Sequence, residues 1–165
     1  MCIAQIEAGT RRAGFGPVRL DTLLTELVDA YQPVAEERHQ TLTGRFEPGL
    51  DLRGDRELLT LLFANLIENA IRHCPSGSVI VVDAERTGTG IRASVGDNGP
   101  GIPATHREKV LQRFYRLEAS RTTAGNGLGL SAVSAIAALH GARLILDDNE
   151  PGLRYLLHFR PDDQA

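Results

Sequence analysis

Apolar residues spaced three and four apart, interrupted by stretches in which apolar and polar residues alternate, divide this chain into helices and strands. Leu23, Leu24, Leu27, Val28 and Tyr31 recur at helical spacing behind Asp21, a good capping residue. They predict a first helix over about residues 21–38, preceded by a short strand at Val18 to Leu20. Two extended segments, Thr41 to Phe46 and Leu50 to Arg53, are split by Pro48-Gly49 in the manner of a hairpin turn. Asp55 caps a second predicted helix, about residues 56–74, which Pro75-Ser76-Gly77 stops. Ser78 to Arg86 and Ile91 to Asp97 predict a β-hairpin across Thr87-Gly88-Thr89-Gly90. From Asn98 to Gly125 the period is lost, and a long functional loop with short helical pieces is expected. Leu128 to His140 is small and apolar enough for a buried helix. Arg143 to Asp147 and Leu153 to Phe159 predict a closing hairpin around Pro151-Gly152. Strands joined mostly by hairpins, with helices between them, argue for an α+β two-layer sandwich rather than a doubly wound parallel sheet.

Composition narrows the class. A length of 165 residues suits one domain, and 42% hydrophobic and 24% charged residues with a formal charge of −3 describe an ordinary globule. A polybasic nucleic-acid arm is excluded, so no nucleic-acid partner is expected. No apolar run approaches the length of a membrane span, and Met1 to Arg12 lacks the layout of a signal peptide. Cys2 and Cys74 have no metal-type spacing and read as reduced, cytoplasmic thiols. Only glycine is in excess, at 17 residues, so the placement of those glycines is what points to function.

Three constellations carry chemistry. Asn65 and Asn69 lie four apart on the second helix, with Arg72 and His73 following, so all four project from roughly one face. An i,i+4 asparagine pair alone is more often a solvated face; asparagine oxygens are also hard ligands suited to Mg2+ shared with substrate phosphates. Next, Asp97-Asn98-Gly99-Pro100-Gly101-Ile102 follows a strand directly. It is either a plain turn or a carboxylate placed to accept from an exocyclic amine such as adenine's, beside backbone that passes close to a flat ring. Third, Gly125-Asn126-Gly127-Leu128-Gly129-Leu130 opens a helix and offers backbone N–H groups to phosphate, although it is neither a Walker loop nor a dinucleotide fingerprint. Between the last two runs a segment with Arg107, Lys109, Arg113, Arg116 and Arg121 against Glu108 and Glu118. Such a segment suits a lid over a triphosphate, or is a solvated face.

Taken in order, these signals resemble the ATP-binding catalytic domain of bacterial two-component sensor histidine kinases, over nearly the whole chain. Asn65 to His73 resembles the family's N box, Asp97 to Ile102 its first glycine box, Arg113-Phe114-Tyr115-Arg116 its F box, and Gly125 to Leu130 its second glycine box. The resemblance implies the Bergerat fold, a mixed and mostly antiparallel sheet with helices on one face and ATP held between helices and lid. It implies that Asp97 contacts the adenine amine, that Asn69 ligates Mg2+, and that Asn65 and Arg72 lie along the phosphates. Asn65 and Arg72 are the implied catalytic residues, and Glu68, adjacent to Asn69, is a third catalytic candidate for moving a proton. His73, which stands where the family often has tyrosine, joins Gly99, Gly101, Ile102, Phe114, Gly125, Gly127, Leu128, Gly129 and Leu130 as implied nucleotide contacts.

By the same resemblance, ATP and Mg2+ are the cofactors. The γ-phosphoryl acceptor is a histidine on a separate helical domain of the parent protein, and a response regulator lies downstream. The parent is expected to be a homodimer, in some such kinases anchored in the inner membrane, and this fragment a cytoplasmic monomer. Ile6-Glu7-Ala8-Gly9 looks like the end of the helix preceding such domains. Residues 1–12 are accordingly assigned to that helix and linker, and 13–165 to the ATP-binding domain. The acceptor is a histidine followed by an acidic residue, whereas His39, His73, His106, His140 and His158 precede Gln, Cys, Arg, Gly and Phe. The fragment alone is therefore expected to bind ATP without transferring its phosphoryl group. Gly152-Leu153-Arg154-Tyr155 lacks the threonine that this family often carries on its last strand. The rival readings are an anti-sigma-type serine kinase, a nucleotide-sensing module without transfer, and the hydrolytic relatives of the fold. Those relatives resemble one another in a water-activating glutamate at the position of Asn65.

Overall fold

The computed structural model describes residues 15–99, 126–148 and 152–160. In chain order the elements are β1 (Gly16–Arg19), α1 (Leu20–Glu37), β2 (Thr41–Phe46), β3 (Asp51–Gly54), α2 (Arg56–His73), β4 (Val79–Thr87), β5 (Gly90–Asp97), α3 (Asn126–Leu139), β6 (Arg143–Asp148) and β7 (Leu153–Phe159). Five strands form one sheet in the order β2-β4-β5-β7-β6, parallel between β2 and β4 and antiparallel elsewhere. β1 and β3 pair antiparallel as a separate ribbon.

The period-2 alternation sets the two faces of the sheet. Register places Leu42, Ile80, Val82, Ala84, Ala93, Val95, Tyr155 and Leu157 on one face, where all are buried. The opposite face carries Arg45, Asp83, Arg92, Ser94 and Arg154. The helices supply the other half of the core through Leu23, Leu24, Val28, Leu59, Leu62, Phe63, Leu66, Ile67, Val133 and Ile136. This is the expected two-layer α+β sandwich, with the helices on one face of a mixed, mostly antiparallel sheet.

Two local expectations are corrected. Thr41–Phe46 and Leu50–Arg53 do not form a hairpin, since β2 pairs with β4 and β3 with β1. Leu50 is fully buried and its carbonyl accepts from Leu20 N at 2.8 Å, so the chain turns inward at Pro48-Gly49 and leaves the sheet. Asp21 does not cap α1 either. It sits in the first turn, and its carboxylate accepts from Gly49 N at 3.2 Å, which ties down the same turn.

The second helix behaves as its sequence predicts. Asp55 Oδ1 accepts from Leu58 N at 3.0 Å at the N-terminus of α2. Its other end is closed by buried Gln40, whose Nε2 donates to the carbonyls of Ile71 at 3.0 Å and Cys74 at 2.7 Å. α3 begins at Asn126, so Gly127 and Gly129 lie inside its first turns rather than in a loop ahead of it. Among the described residues no helix is long and apolar enough to cross a membrane.

Candidate nucleotide-binding site

The C-terminal half of α2 and the end of β5 meet at Cys74 and Asp97. Along α2, Asn65, Glu68 and Arg72 are half-buried, Asn69 is 4% exposed and His73 is exposed. The polar stripe starts earlier than the sequence suggests, because Leu61 is 46% exposed while Leu58 and Leu62 are buried. Arg72 Nη1 donates to Asn69 Oδ1 at 3.5 Å, a long contact. Asn69 Nδ2 is buried with no partner among the described residues. An orphan donor beside a guanidinium is costly unless an acceptor is supplied, and an anionic oxygen supplies one.

Glu68 is held from the side. Tyr31 on α1 donates its hydroxyl to Glu68 Oε2, and burial followed by the facing carboxylate pushes the phenol up to about 12. His73 titrates below the ordinary histidine range, chiefly because protein crowds the ring and secondarily because of Arg72, with Asp97 pulling the other way.

Asp97 pairs with Ile80 across the β4–β5 ladder and is 6% exposed. Its Oδ1 accepts from two backbone amides, Gly99 N at 2.9 Å and Leu153 N at 3.3 Å, which fixes the carboxylate plane. Asn98 Oδ1 accepts from Val79 N at 2.8 Å and pins the chain just beyond the strand. Below this turn lies Cys74, a free and buried thiol pushed up to about 12 by burial first and by Asp97 second. A Cβ on Gly99 would come within 2.8 Å of Cys74 Sγ, so the backbone passes the thiol closely. Gly152, at φ +108°, lies so close that a Cβ there would overlap the Asp97 carbonyl oxygen. Tyr155, fully buried, is pushed up by desolvation and then by Asp97.

Asn65, Glu68, Asn69, Arg72 and His73 thus follow one another along the C-terminal half of α2, and at its end Cys74 packs against the turn that holds Asp97 and Gly99. Gly127, Leu128, Gly129 and Leu130 lie in the first turns of α3. Gly101, Ile102, Phe114 and Gly125 lie outside the described residues, as do residues 1–12. The sequence does not mark Tyr31, Cys74 or Leu153 as site residues. Tyr31 reads there as one more apolar helical position, and the Leu153 contribution is a backbone amide that no side chain announces. Among the described residues no three His, Cys, Asp or Glu side chains cluster as a metal cage. The donor set fits a hard cation bound through one amide oxygen and the ligand's own phosphates, the usual manner of Mg2+.

Residues 54–163, which contain all four sequence boxes, match the family described as histidine kinase-, DNA gyrase B-, and HSP90-like ATPase. The sensor-like histidine kinase SenX3 of Mycolicibacterium smegmatis is 31% identical over 146 residues, covering 87% of this chain and 38% of its own length. The nucleotide-free catalytic domain of the histidine kinase ThkA superposes with a TM-score of 0.79 at 24% identity, covering 88% of this chain and 97% of that one. Full-length ShkA in complex with AMPPNP gives a TM-score of 0.77 at 22% identity, over 95% of this chain and 35% of that one. The chain belongs to this ATPase family, as the catalytic domain found in two-component sensor histidine kinases. It spans less than two fifths of the length of the SenX3 relative.

Proposed function

We propose that this chain binds Mg-ATP at the α2–β5 junction and presents the γ-phosphoryl group to a histidine on a separate helical domain of a longer sensor kinase. The observation that carries the reading is Asp97: a nearly buried carboxylate at a strand end, with Oδ1 held by two backbone amides. Such an acceptor suits the exocyclic amine of adenine. Asn69 then supplies an amide oxygen to Mg2+, and its orphan Nδ2 donates to a phosphate oxygen. Asn65 and Arg72 flank the phosphates, with Glu68 beside them on the same helix as a third catalytic candidate. Gly99, Gly101, Ile102, Phe114 and His73 complete the base side, while Gly125, Gly127, Leu128, Gly129 and Leu130 are the phosphate contacts. The AMPPNP in ShkA supports a nucleotide in this fold.

On this reading residues 13–165 make up the ATP-binding domain. The acceptor domain is the immediate partner and a response regulator the next. Because Asn65 occupies the place of the hydrolytic relatives' glutamate, water is a poor acceptor here. The test incubates the chain with γ-labelled ATP, alone and with the acceptor hairpin of its parent protein. Label on a hairpin histidine, only when both are present, is the expected result. Rapid phosphate release by the chain alone would favour a hydrolase, and label on a partner's serine would favour the anti-sigma type.

A further inference from the structure

We infer that Cys74 is a positioning residue for the base pocket, its thiol holding the Asp97 carboxylate in the orientation that receives the adenine amine. The inference rests on the reading of Asp97 as the adenine contact and adds the group that orients it. Pro75 stops α2, and the residue before a proline is driven out of helical backbone. Cys74 is accordingly extended, at φ −99° and ψ 144°, so its side chain is no longer set by the helical stripe. Its thiol hydrogen-bonds to the Asp97 carboxylate and to buried Ser78. Sulfur and carboxylate line the same gap, since a Cβ added at Gly99 would lie 2.8 Å from Cys74 Sγ and 3.4 Å from Asp97 Oδ1.

Donors from separate segments therefore converge on this carboxylate. Gly99 N donates to Oδ1 from the turn beyond β5 at 2.9 Å, Leu153 N donates from the start of β7 at 3.3 Å, and the thiol arrives from the end of α2. The thiol thus ties the base carboxylate to the helix that carries Asn69. Its own backbone is held on both sides. Cys74 N donates to the Ala70 carbonyl at 3.1 Å, and the Cys74 carbonyl accepts from Gln40 Nε2 at 2.7 Å. A thiol pushed up to about 12, by burial and then by Asp97, keeps its proton and remains a donor throughout the neutral range. Buried and protonated, it is a poor nucleophile, so its use is the hydrogen bond rather than covalent chemistry.

An ionised carboxylate accepts hydrogen bonds and donates none. It therefore separates adenine, which offers an exocyclic amine, from hypoxanthine, which carries a carbonyl oxygen at the same place. That discrimination is only as sharp as the carboxylate is fixed. A cysteine that merely packs as a small apolar group would support every nucleotide alike.

The test is calorimetric titration of this chain with ATP and with inosine triphosphate, in the wild type, Cys74→Ala and Cys74→Ser. Cys74→Ala is expected to weaken ATP binding about fivefold and inosine triphosphate binding by less than about twofold, so that the preference for ATP narrows. Cys74→Ser keeps a donor in place and is expected to hold both affinities within about twofold of wild type. Because the preference is a ratio taken within each variant, a loss of folded protein cancels from it. Unchanged ATP affinity in Cys74→Ala, parallel weakening of both nucleotides, or a serine that fails to restore the preference would each overturn the role. A wild-type protein that binds both nucleotides equally overturns the reading of Asp97 and the inference with it, a result distinct from a selective protein indifferent to Cys74.

Discussion

Asp97 and Asn69 are both nearly buried, yet their surroundings make opposite demands, and substitutions separate them. Oδ1 of Asp97 already accepts from Gly99 N and Leu153 N. An asparagine there keeps those two bonds with its carbonyl and turns its NH2 group toward the amine that adenine would present. Donor then faces donor. Asp97→Asn is expected to retain the fold and to lose roughly 1–3 kcal/mol of ATP binding, read by calorimetric titration. Unchanged affinity would remove Asp97 from the base site. Asn69 carries a buried amide nitrogen that lacks a partner among the described residues, so its truncation relieves a cost in the free protein. Asn69→Ala is accordingly expected to hold or raise the melting temperature without nucleotide, while ATP affinity falls more with Mg2+ present than in EDTA. A variant that is destabilised and equally weakened under both conditions would make Asn69 a packing residue.

The helix that carries Asn69 is closed at both ends, and the two closures differ in how far a sequence reveals them. Asp55 bonds an amide three residues on, so the cap is visible in the local pattern. Gln40 reaches the carbonyls of Ile71 and Cys74 from 31 and 34 residues away, and nothing near position 40 announces it. The same contrast explains the hairpin that does not form. Extended character in β2 and β3 was legible, but their partners are chosen by β4 and β1, through long-range register and the inward pull of Leu50. The N box and the carboxylate of Asp97 were legible because their residue types are tied to short spacings. The amide of Leu153 and the hydroxyl of Tyr31 were not, because they arrive from other elements. Asp55→Ala is expected to cost about 1 kcal/mol of stability and leave ATP binding as it is. Gln40→Ala leaves two carbonyls without their donor at the end next to Cys74 and Asp97, and is expected to cost about 1–3 kcal/mol in urea denaturation. It should also weaken ATP binding, and an effect on stability alone would show that the helix end does not position the base site.

At the scale of the whole molecule, the sandwich buries proton-bearing groups of one kind, which sets how its stability depends on pH. Cys74 rises from 9.0 to about 12, burial first and Asp97 second, and Tyr31 from 10.0 to about 12, burial first and Glu68 second. Tyr155 is raised as well, by burial and then by Asp97. In each case the folded state holds its proton more tightly than the unfolded chain. The stability this gives is fully present below the unfolded values and is lost as pH climbs through the folded ones, a window of about pH 9 to 12. Of the eighteen Lys and Arg residues only Lys109 is a lysine, and arginine keeps its charge across most of this range. Thiol and phenol groups therefore dominate the alkaline limb. The urea midpoint is expected to be level near neutrality and to fall steadily once pH passes about 9, first through Cys74 and then through the tyrosines. Cys74→Ser removes the earliest group to titrate, so the variant should hold its midpoint about one pH unit further before it declines. A midpoint flat to pH 11, or a decline of the same shape in the variant, would mean that the cluster under Asp97 is not the source of the alkaline sensitivity.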